Sequence, residues 1–498
     1  MKILLIEPPF NRLTGSFKRG YPYNLTCLAS YVAKSGYSDI KIYDPDKKKQ
    51  IYNINILDQR KLFQQYLGLV NDTHFEVWRE IEETIKSYSP DLVGITTMTS
   101  QYASAMRVAT IAKKVNERCH VVMGGVHPTI QGDNVVKHPC VDFVVVGEGE
   151  KGFLQLLEML NPAKHQKIKH IPGILFQNEK GEIVETPNST FAESLDEFPV
   201  PDCKYLHSLN SYTPEDFGLM LTSRGCPYKC TFCSNVWLRK VRYLSLDRLL
   251  SDIKHFQTNY NVHQFMFKDD SFTVNRKRIM EFCKEVIANK MKFSWETSTR
   301  MDLIDLELLK TMRRAGCNRV SVGVESGSER MLKLFNKKLD RKKIITGAKI
   351  LQESGLFWSA YFMCGLPDET VAEMEKTYKF MLELKPNYAG IGIYKPYPGT
   401  EIFELAKASN LVNDRVENDY FFKTNPVYYF FVNPNRRSLV MDSETYNSVT
   451  QDIIVKFGKY NSKPGNLWKR VKARQQLYVR DQKQFIRDLR RGMSLFSH

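Results

Sequence analysis

Short apolar runs alternate with stretches of helical spacing over the first 150 residues of the chain. The runs predict five strands, at Lys2–Ile6, Ile40–Tyr43, Leu92–Thr96, His120–Met123 and Phe143–Val146. Apolar residues three and four apart predict helices over Leu25–Lys34, Phe75–Ser87 and Ala103–Asn116. Strands separated by helices indicate an α/β fold with a parallel, doubly wound, Rossmann-like sheet. Ligands of such sheets bind beyond the carboxyl ends of the strands.

The same alternation resumes after about residue 215 and repeats six times. The predicted strands are Leu219–Thr222, Phe265–Lys268, Phe293–Glu296, Arg319–Val324, Trp358–Met363 and Ala389–Tyr394. Six consecutive strand–helix units over residues 215–410 predict a partial (β/α)6 barrel, with its chemistry at the carboxyl ends of the strands. Residues 151–214 carry turn signals and prolines, and we interpret them as a linking segment.

Residues 411–498 break this pattern. An aromatic-rich stretch over 420–432 comes first, and two basic helices separated at Pro464-Gly465 follow it. From Gln451 to the end there are 12 Lys and Arg against 3 Asp and Glu, while the whole chain carries a formal charge of +17. A basic segment of this kind often meets an anionic partner, so we interpret 411–498 as a helical extension with a binding role.

Composition excludes several classes of protein. With 42% apolar and 26% charged residues the chain is neither collagen-like nor disordered, and ten cysteines are too sparse for a disulfide scaffold. No apolar run reaches 18 residues, and the first run ends at Glu7-Pro8-Pro9. We therefore predict neither a membrane span nor a signal peptide, and expect a cytoplasmic protein.

Three cysteines lie close together in sequence, at Cys226, Cys230 and Cys233, directly after the first predicted barrel strand. Three thiolates can hold three irons of a cubic four-iron cluster and leave the fourth iron open to a chelating substrate. A zinc site normally has four ligands, and the neighbouring sequence offers no obvious fourth Cys or His. The spacing therefore favours an iron–sulfur cluster over zinc or over buried structural thiols.

This loop resembles the signature of the radical S-adenosylmethionine (SAM) superfamily, a CxxxCxxC loop after the first strand of a six-stranded partial barrel. The resemblance covers roughly residues 215–410. It implies that the open iron binds the amino and carboxylate groups of SAM. It also implies that the cluster, reduced by a flavodoxin- or ferredoxin-like donor, cleaves SAM to methionine and a 5′-deoxyadenosyl radical.

The resemblance extends to segments that follow the other barrel strands. An anionic pair suits the ammonium group of SAM and a cation suits its carboxylate, although the commoner Gly-Gly-Glu form of the amino-binding segment is absent. Cys364 ends the fifth predicted strand, and a relay of hydrogen or methyl is one hypothesis for it. The implied SAM-binding residues are Phe232 beside the adenine, Asp269 and Asp270 at the amino group, Ser298 and Arg300 at the ribose and carboxylate, and Glu325 and Ser326 at the ribose.

The first domain, residues 1–150, resembles the cobalamin-binding domain that precedes the barrel in class B radical SAM methyltransferases. The likeness rests on the opening KILLIEPP and on two glycine-containing segments after predicted strands. The implied cobalamin-binding residues are Thr97, Thr99, Gly124, Gly125, Gly147 and Glu148. The Asp-x-His-x-x-Gly motif that brings a histidine to cobalt in mutase-type domains is absent after the first strand. We therefore expect cobalamin with its base displaced and without a histidine ligand, or a domain that has lost cobalamin.

His127 follows Gly124-Gly125 and is the candidate substitute for that missing ligand. A histidine between Gly-Gly-Val and Pro is more often a residue of a turn or of a helix start. The interpretation that we favour is therefore a structural histidine.

The resemblance implies a cobalamin-dependent radical SAM enzyme that methylates an unactivated carbon of a small-molecule or lipid-associated substrate. One alternative is a radical cyclase or rearrangement enzyme that transfers no methyl group. Another is an RNA methylthiotransferase, for which the second cysteine triad is missing from the first domain. A non-enzymatic sensor is the third.

The basic tail from about Gly465 places Trp468 and Phe485 among many Lys and Arg. This composition is typical of a helix at an anionic membrane surface, and it also fits a helix packed on the barrel with its cations in solvent. No RNA-binding module accompanies the charge, so we expect no nucleic-acid partner. We predict a peripheral contact with the inner face of the membrane.

Overall fold

The structure is a computed structural model. It describes residues 1–47, 59–161, 168–188, 191–234, 236–237, 239–417 and 419–480, together with 482, 485–486 and 488–489. The chain divides into two compact units. The first comprises Met1–Asp216 and Asp414–Tyr429, and the second comprises Phe217–Asn413 and the chain from Phe430 into the C-terminal helices.

The first unit is built on one seven-stranded sheet. Its strands are β1 (Ile3–Ile6), β2 (Ile40–Tyr43), β3 (Leu92–Thr96), β4 (His120–Gly124), β5 (Phe143–Val145), β6 (Ile174–Gln177) and β7 (Ile183–Glu185). Its helices up to residue 160 are α1 (Asn11–Thr14), α2 (Tyr23–Lys34), α3 (Gln59–Asn71), α4 (Glu76–Tyr88), α5 (Tyr102–Val115), α6 (Val126–Val136) and α7 (Gly149–Leu160). The four residues of β1 are fully buried, as expected of a strand covered on both faces.

The order of the strands, β2-β1-β3-β4-β5-β6-β7, confirms the doubly wound sheet. The first five strands are parallel, and the chain changes its direction of winding between β1 and β3, which is where such sheets bind ligands. β6 and β7 form an antiparallel hairpin on the edge next to β5. The segment 151–214, interpreted from the sequence as a linker, thus adds two strands to this sheet.

Among its described residues the second unit has eight strands, six in the parallel sheet of the barrel and two in a separate antiparallel pair. Its strands are β8 (Leu219–Met220), β9 (Ser223–Arg224), β10 (Arg242–Tyr243), β11 (Gln264–Phe267), β12 (Ser294–Thr299), β13 (Cys317–Glu325), β14 (Phe357–Cys364) and β15 (Tyr388–Ile393). Its helices up to residue 408 are α8 (Leu246–Tyr260), α9 (Arg276–Ala288), α10 (Leu306–Arg314), α11 (Glu329–Leu334), α12 (Arg341–Ser354), α13 (Val371–Leu384) and α14 (Glu401–Ala408).

The strands of this sheet follow one another in the order β15-β14-β13-β12-β11-β8, which is the arrangement predicted for a partial barrel. Side chains alternate between its two faces. In β13, Val320, Val322 and Val324 are buried, whereas Ser321 and Gly323 on the opposite face are only half-buried. The valine face therefore packs against the helices, and the small residues line the inner side.

The residues after 410 are shared between the two units. Helix α15 (Tyr420–Lys423) belongs to the first unit. Helices α16 (Ser443–Asn461), α17 (Pro464–Ala473) and α18 (Gln475–Arg480) belong to the second. Helix α16 ends at the edge of the barrel sheet, where the side-chain amide of Asn461 accepts from Ala389 N at 2.9 Å and donates to Ala389 O at 2.7 Å. The extension thereby covers part of an open sheet edge.

Among the helices that the structure describes, none combines the length and the apolar character needed to cross a membrane.

Candidate active site

The three cysteines lie in the loop that follows β9. Cys226 and Cys230 are half-buried and Cys233 is exposed. Burial raises the pKa of each thiol, to about 11 for Cys233, and neighbouring cysteines add to the rise at Cys226 and Cys233. Without a metal these groups hold their protons, and a bound iron would take the place of the proton.

Backbone and side-chain hydrogen bonds hold this loop in place. Thr231 donates from its amide to Phe335 O at 3.2 Å and from its hydroxyl to Leu334 O at 2.8 Å. The Asn336 amide donates to Lys229 O at 3.1 Å. The ring of Phe232 packs edge-on against Phe335 at 5.3 Å, within an apolar cluster. The side chain of Phe232 is thus an anchor, which leaves its backbone for the predicted contact with the adenine.

Arg300, directly after β12, is tied to the cysteine loop. Its guanidinium donates twice to Asp302, at 2.9 Å each, and once to Cys230 Sγ at 3.8 Å. It also donates to the carbonyl of Lys337 and lies 3.7 Å from the ring centroid of Tyr228. The predicted contact of Arg300 with the SAM carboxylate stays a prediction. What the structure shows is a cation already engaged beside one of the thiols.

The neighbouring carboxylates Asp269 and Asp270 have different environments. Asp269 is 4% exposed and accepts from Thr222 N and Oγ1 at 2.6 Å each and from Ser223 N at 3.1 Å. Burial raises its pKa, and these donors oppose the rise. Asp270 is exposed, accepts from the backbone of Gly225 and raises the pKa of the nearby thiols. Asp270 is therefore the better placed of the two to meet an ammonium group beside the cysteine loop.

Glu325 is the last residue of β13 and has a positive φ of 70°. Its carboxylate accepts from Lys337 Nζ at 2.7 Å, and the same ammonium donates to Gly323 O at 2.6 Å. Ser326, by contrast, is fully buried, and its hydroxyl pairs with Thr377 Oγ1 at 3.0 Å and accepts from Ser328 N. Ser326 therefore serves the junction with α13 in this structure.

Ser298 lies inside β12 and not after it, because β12 runs three residues further than the sequence predicted. The prediction ended the strand at Glu296, where the apolar pattern stops. The hydroxyls of Ser298 and of its register partner Ser321 lie on the inner face of the barrel, which needs no apolar residue. A strand whose second face is open to a ligand loses its sequence signal there.

Cys364 ends β14 and is fully buried, and burial raises its thiol pKa well above the usual range. Next to it, the Glu369 carboxylate accepts from Gly365 N at 2.7 Å and from Leu366 N at 3.3 Å. Burial raises the pKa of Glu369 to about 8. The hydroxyl of Tyr446 donates to Gly365 O at 3.1 Å. These contacts fix the turn after the fifth strand, and the hypothesis of a relay at Cys364 stays untested.

The donor set fits an iron–sulfur cluster. Within the described parts of the chain, no three Cys, His, Asp or Glu side chains are grouped as ligands of one metal ion. Thiolates that bind different irons of a cluster stand further apart than ligands of one ion do. Three thiols on one anchored loop, with Arg300 and Lys337 as nearby cations, can hold the anionic cluster and leave one iron without a protein ligand.

In the first unit, the segments after β3 and β4 pack backbone against backbone. Thr97 N donates to Gly124 O at 2.8 Å, and His127 N donates to Thr97 O at 3.1 Å. Gly125 has a φ of +103°, and a Cβ there would lie 2.9 Å from Thr97 N. The hydroxyl of Thr97 is buried and has no hydrogen-bond partner among the described residues. A buried hydroxyl without a partner among the described residues, beside glycines at the carboxyl ends of β3 and β4, fits a ligand that has its own polar groups, as cobalamin has.

His127 is 2% exposed and enclosed by aromatic rings. The ring of Tyr102 lies 4.4 Å away, the ring of Phe421 from α15 lies 5.6 Å away, and Thr99 Oγ1 is 3.2 Å from Nδ1. Burial lowers the pKa of His127 to about 3, so the ring is neutral at physiological pH. This environment supports the structural interpretation of His127. Thr99, predicted at the cobalamin, holds the imidazole.

Gly147 and Glu148 follow β5. Gly147 has a φ of 78° and donates from its amide to Thr129 Oγ1 at 3.1 Å. Glu148 is 3% exposed, and its carboxylate accepts from Ala192 N at 3.1 Å. Glu148 therefore fastens the chain after β7, and its predicted contact with cobalamin stays untested.

Three contributors to the site were missed from the sequence: Lys337, Thr222 and Tyr228. Each acts through a partner distant in sequence, so neither periodicity nor spacing points to it. Thr222 and Tyr228 carry a sequence signal, because Thr222 lies just before the loop of the three cysteines and Tyr228 lies inside it, whereas Lys337 carries none.

Two family models match the chain, one in each unit. The B12 binding domain matches residues 18–157, and the radical SAM superfamily model matches residues 220–381. The second range begins inside β8 and contains the three cysteines and the strands β9 to β14. The matches therefore agree with the sites built above from the two sheets.

Two relatives are similar over most of the chain. An uncharacterized methyltransferase of Pyrococcus horikoshii, PH0819, is 34% identical over 83% of this chain and 84% of its own length. An anaerobic magnesium-protoporphyrin IX monomethyl ester cyclase of Rubrivivax gelatinosus is 28% identical over 89% of this chain and 74% of its own. A solved structure of the cobalamin-dependent radical SAM enzyme OxsB, with aqua-cobalamin and SAM bound, covers 99% of this chain and 72% of its own at a TM-score of 0.69 and 17% identity.

The radical SAM and B12 binding domains imply a four-iron cluster, SAM and cobalamin as the cofactors. The combination of a B12 binding domain, a radical SAM domain and a relative 34% identical over 84% of its length places the chain in the cobalamin-dependent radical SAM methyltransferase family, as a radical SAM enzyme.

Proposed function

We propose that this enzyme methylates an unactivated carbon of a small-molecule or lipid-associated substrate. The observation that carries the proposal is the pairing of the anchored three-cysteine loop with a relative that is itself described as a methyltransferase. When bound, the cluster supplies an electron for the cleavage of SAM, and cobalamin supplies a methyl group. A flavodoxin- or ferredoxin-like donor is the proposed source of the electron.

The chain's own residues have separate tasks in this proposal. Cys226, Cys230 and Cys233 bind the cluster. Asp270 binds the amino group of SAM, since it is exposed beside the loop, while Asp269 holds the chain at Thr222. Ser298 and Ser321 on the inner face of β12 and β13 leave room for a substrate in the barrel, whereas the space beside Gly323 holds the Glu325–Lys337 pair.

The test uses anaerobically reconstituted enzyme, a reductant and SAM with a deuterated methyl group, incubated with metabolite and lipid extracts. We expect deoxyadenosine, S-adenosylhomocysteine and a product heavier by one labelled methyl group. A variant with all three cysteines changed to Ala is the control and should give none of these. Deoxyadenosine without any labelled product would contradict methylation while leaving the radical chemistry intact.

We also propose that cobalamin binds the first unit with its base displaced and with no histidine on cobalt. Support comes from the aromatic enclosure of His127 and from the orphaned hydroxyl of Thr97. The electron paramagnetic resonance spectrum of the cob(II)alamin form should show no nitrogen splitting on cobalt. Splitting that disappears in His127→Phe would contradict this proposal.

A cyclisation without methyl transfer is the second candidate, because a cyclase is 28% identical over 89% of the chain. In that case the extract experiment would yield an unlabelled product with two fewer hydrogens, alongside deoxyadenosine. An RNA methylthiotransferase would need a second cysteine triad. Of the cysteines in the first unit, Cys27 is buried in α2 and Cys119 is buried in the loop before β4.

We propose that the substrate is lipid-associated and that the basic tail meets an anionic membrane. Trp468 on α17 is 67% exposed, and Val471 one turn further is 38% exposed, with Lys469 and Lys472 exposed beside them. Each basic residue near an anionic bilayer contributes on the order of 1 kcal/mol. Residues 490–498 lie outside the described residues.

Co-sedimentation with vesicles of rising anionic lipid content, at low and high salt, tests the membrane contact. Changing both Trp468 and Val471 to Ser should weaken binding about tenfold or more. Leu405→Ser is the matched control, because Leu405 is 52% exposed on α14 and lies outside the basic tail in the sequence. Equal binding by the two variants would remove the membrane contact and the main argument for a lipid-associated substrate.

A further inference from the structure

Arg300 occupies an unusual position for a surface-loop arginine. It is 6% exposed, and each nitrogen of its fork has a partner. Nε and Nη2 donate to the two carboxylate oxygens of Asp302, Nη2 also donates to the carbonyl of Lys337, and Nη1 donates to Cys230 Sγ at 3.8 Å. The fork therefore joins a carboxylate, a backbone carbonyl and a thiol that is expected to bind iron.

The backbone around Lys337 is shaped to receive this contact. Asn336 and Lys338 both have positive φ, of 51° and 58°, although neither is glycine. Conformations of this kind cost free energy and persist where surrounding contacts enforce them. In this turn the carbonyl of Lys337 accepts from Arg300. The side-chain amide of Asn336 donates to Lys229 O and so holds the cysteine loop.

The charges around the three thiols are unequal. Among the described contacts, the Arg300 guanidinium donates to Cys230 Sγ at 3.8 Å, whereas the ammonium of Lys337 is paired with the Glu325 carboxylate at 2.7 Å. Hydrogen bonds to the sulfurs of a cluster and nearby charge are two of the factors that set its reduction potential. A donor and a fixed cation at a sulfur stabilise the reduced, more negative form.

We propose that Arg300 is a positioning residue that holds Cys230 and raises the reduction potential of the cluster through its hydrogen bond to the sulfur. The Lys337 carbonyl and the Tyr228 ring hold the guanidinium in place, and Asp302 offsets part of its charge. The step that this potential governs is the reduction of the cluster. The cluster would take one electron from an external reductant, and no bond of the protein would change. The inference rests on the cluster alone and is independent of which substrate is methylated.

The test is a redox titration of the reconstituted, substrate-free enzyme with mediators and dithionite, followed by electron paramagnetic resonance. Arg300→Gln should shift the midpoint potential to a more negative value at equal iron and sulfide content. Arg300→Lys should shift it less, because the ammonium keeps the charge but cannot span all three partners. Arg276→Gln is the matched control, since Arg276 pairs with Asp305 and Glu307 on the barrel exterior.

Asp302→Asn keeps the proposal testable if Arg300→Gln binds too little iron. Removing this negative charge should shift the potential in the opposite direction, to a more positive value. Identical potentials for the wild-type enzyme and Arg300→Gln would overturn the proposal. So would a shift to more negative potential in Asp302→Asn, because a merely structural disturbance would move both variants in the same direction.

Discussion

In each of the two units the site lies at the carboxyl ends of parallel strands. The residues that form the two sites differ in chemical character. In the first unit the strand ends carry glycines, an orphaned Thr97 hydroxyl and a neutral histidine inside aromatic rings. In the second unit the cysteine loop is surrounded by Asp270, by Arg300 and by the Glu325–Lys337 pair. In the first site the backbone can approach a ligand closely, whereas in the second site charged side chains surround the cysteines.

The largest effect is expected in the second unit, from two adjacent carboxylates. Asp269→Ala leaves the Thr222 and Ser223 donors without their buried acceptor, and we expect a loss of roughly 3–5 kcal/mol in unfolding free energy. Asp270→Ala is the control for stability and should change it by no more than about 0.5 kcal/mol. Chemical denaturation gives both numbers, and an equal cost for the two would refute the division of tasks between them.

In the first unit the corresponding comparison is between two adjacent glycines, Gly125 and Gly124. Gly125→Ala puts a Cβ 2.9 Å from Thr97 N at a φ of +103°, and we expect a cost of about 1–3 kcal/mol and weaker retention of cobalamin. At Gly124 the nearest atom to a Cβ is Val145 O at 3.6 Å, an ordinary contact. Gly124→Ala should therefore fold normally. Denaturation curves and the cobalamin content after gel filtration test this difference. A Gly125→Ala variant as stable as Gly124→Ala would contradict it.

The stability of the first unit should fall in acid because of His127. Its folded pKa of about 3 lies below the usual value of a histidine, so the unfolded chain binds the proton first. The contribution is fully present above about pH 6.5 and decreases as the pH falls toward 3, by at most about 1.4 kcal/mol per pH unit. His127→Phe should flatten this slope, as measured by hydrogen exchange of α6 between pH 4 and 7. An unchanged slope would mean that the imidazole is protonated in the folded chain.

The second unit should respond in the opposite direction because of Glu369. Its folded pKa of about 8 lies above the usual value, so the folded state keeps a proton that the unfolded chain has lost. This contribution is present below about pH 4.5 and decreases as the pH rises through 8, with the same upper limit per pH unit. Glu369→Gln should gain stability relative to the wild-type chain as the pH rises from 5 to 9. A constant difference between the two chains would contradict the raised pKa.

Much of both folds is predictable from the sequence, because buried parallel strands consist of continuous runs of apolar residues. All five parallel strands of the first sheet and the six of the barrel were expected near their observed positions. The cysteine loop was equally visible, since three thiols at this spacing have few other uses.

What the sequence does not contain is the partner of each charged residue. Asp269 and Asp270 look alike in the sequence, yet one is a buried anchor and the other faces the loop. The extent of β12 was also underestimated, because Ser298 lies on a face that needs no apolar residue. Hydrogen bonds over distances such as Arg300 to Lys337 or Glu148 to Ala192 depend on the fold and leave no local signal.

The central claim is that the loop of Cys226, Cys230 and Cys233 makes this chain a radical SAM enzyme. The most direct measurement is the formation of deoxyadenosine by the reduced, reconstituted enzyme with SAM, analysed by mass spectrometry beside single and triple cysteine-to-Ala variants. The account predicts deoxyadenosine from the wild-type enzyme and none above background from any variant. Deoxyadenosine formed by the triple variant, or none formed by a wild-type enzyme with a full four-iron cluster, would contradict it.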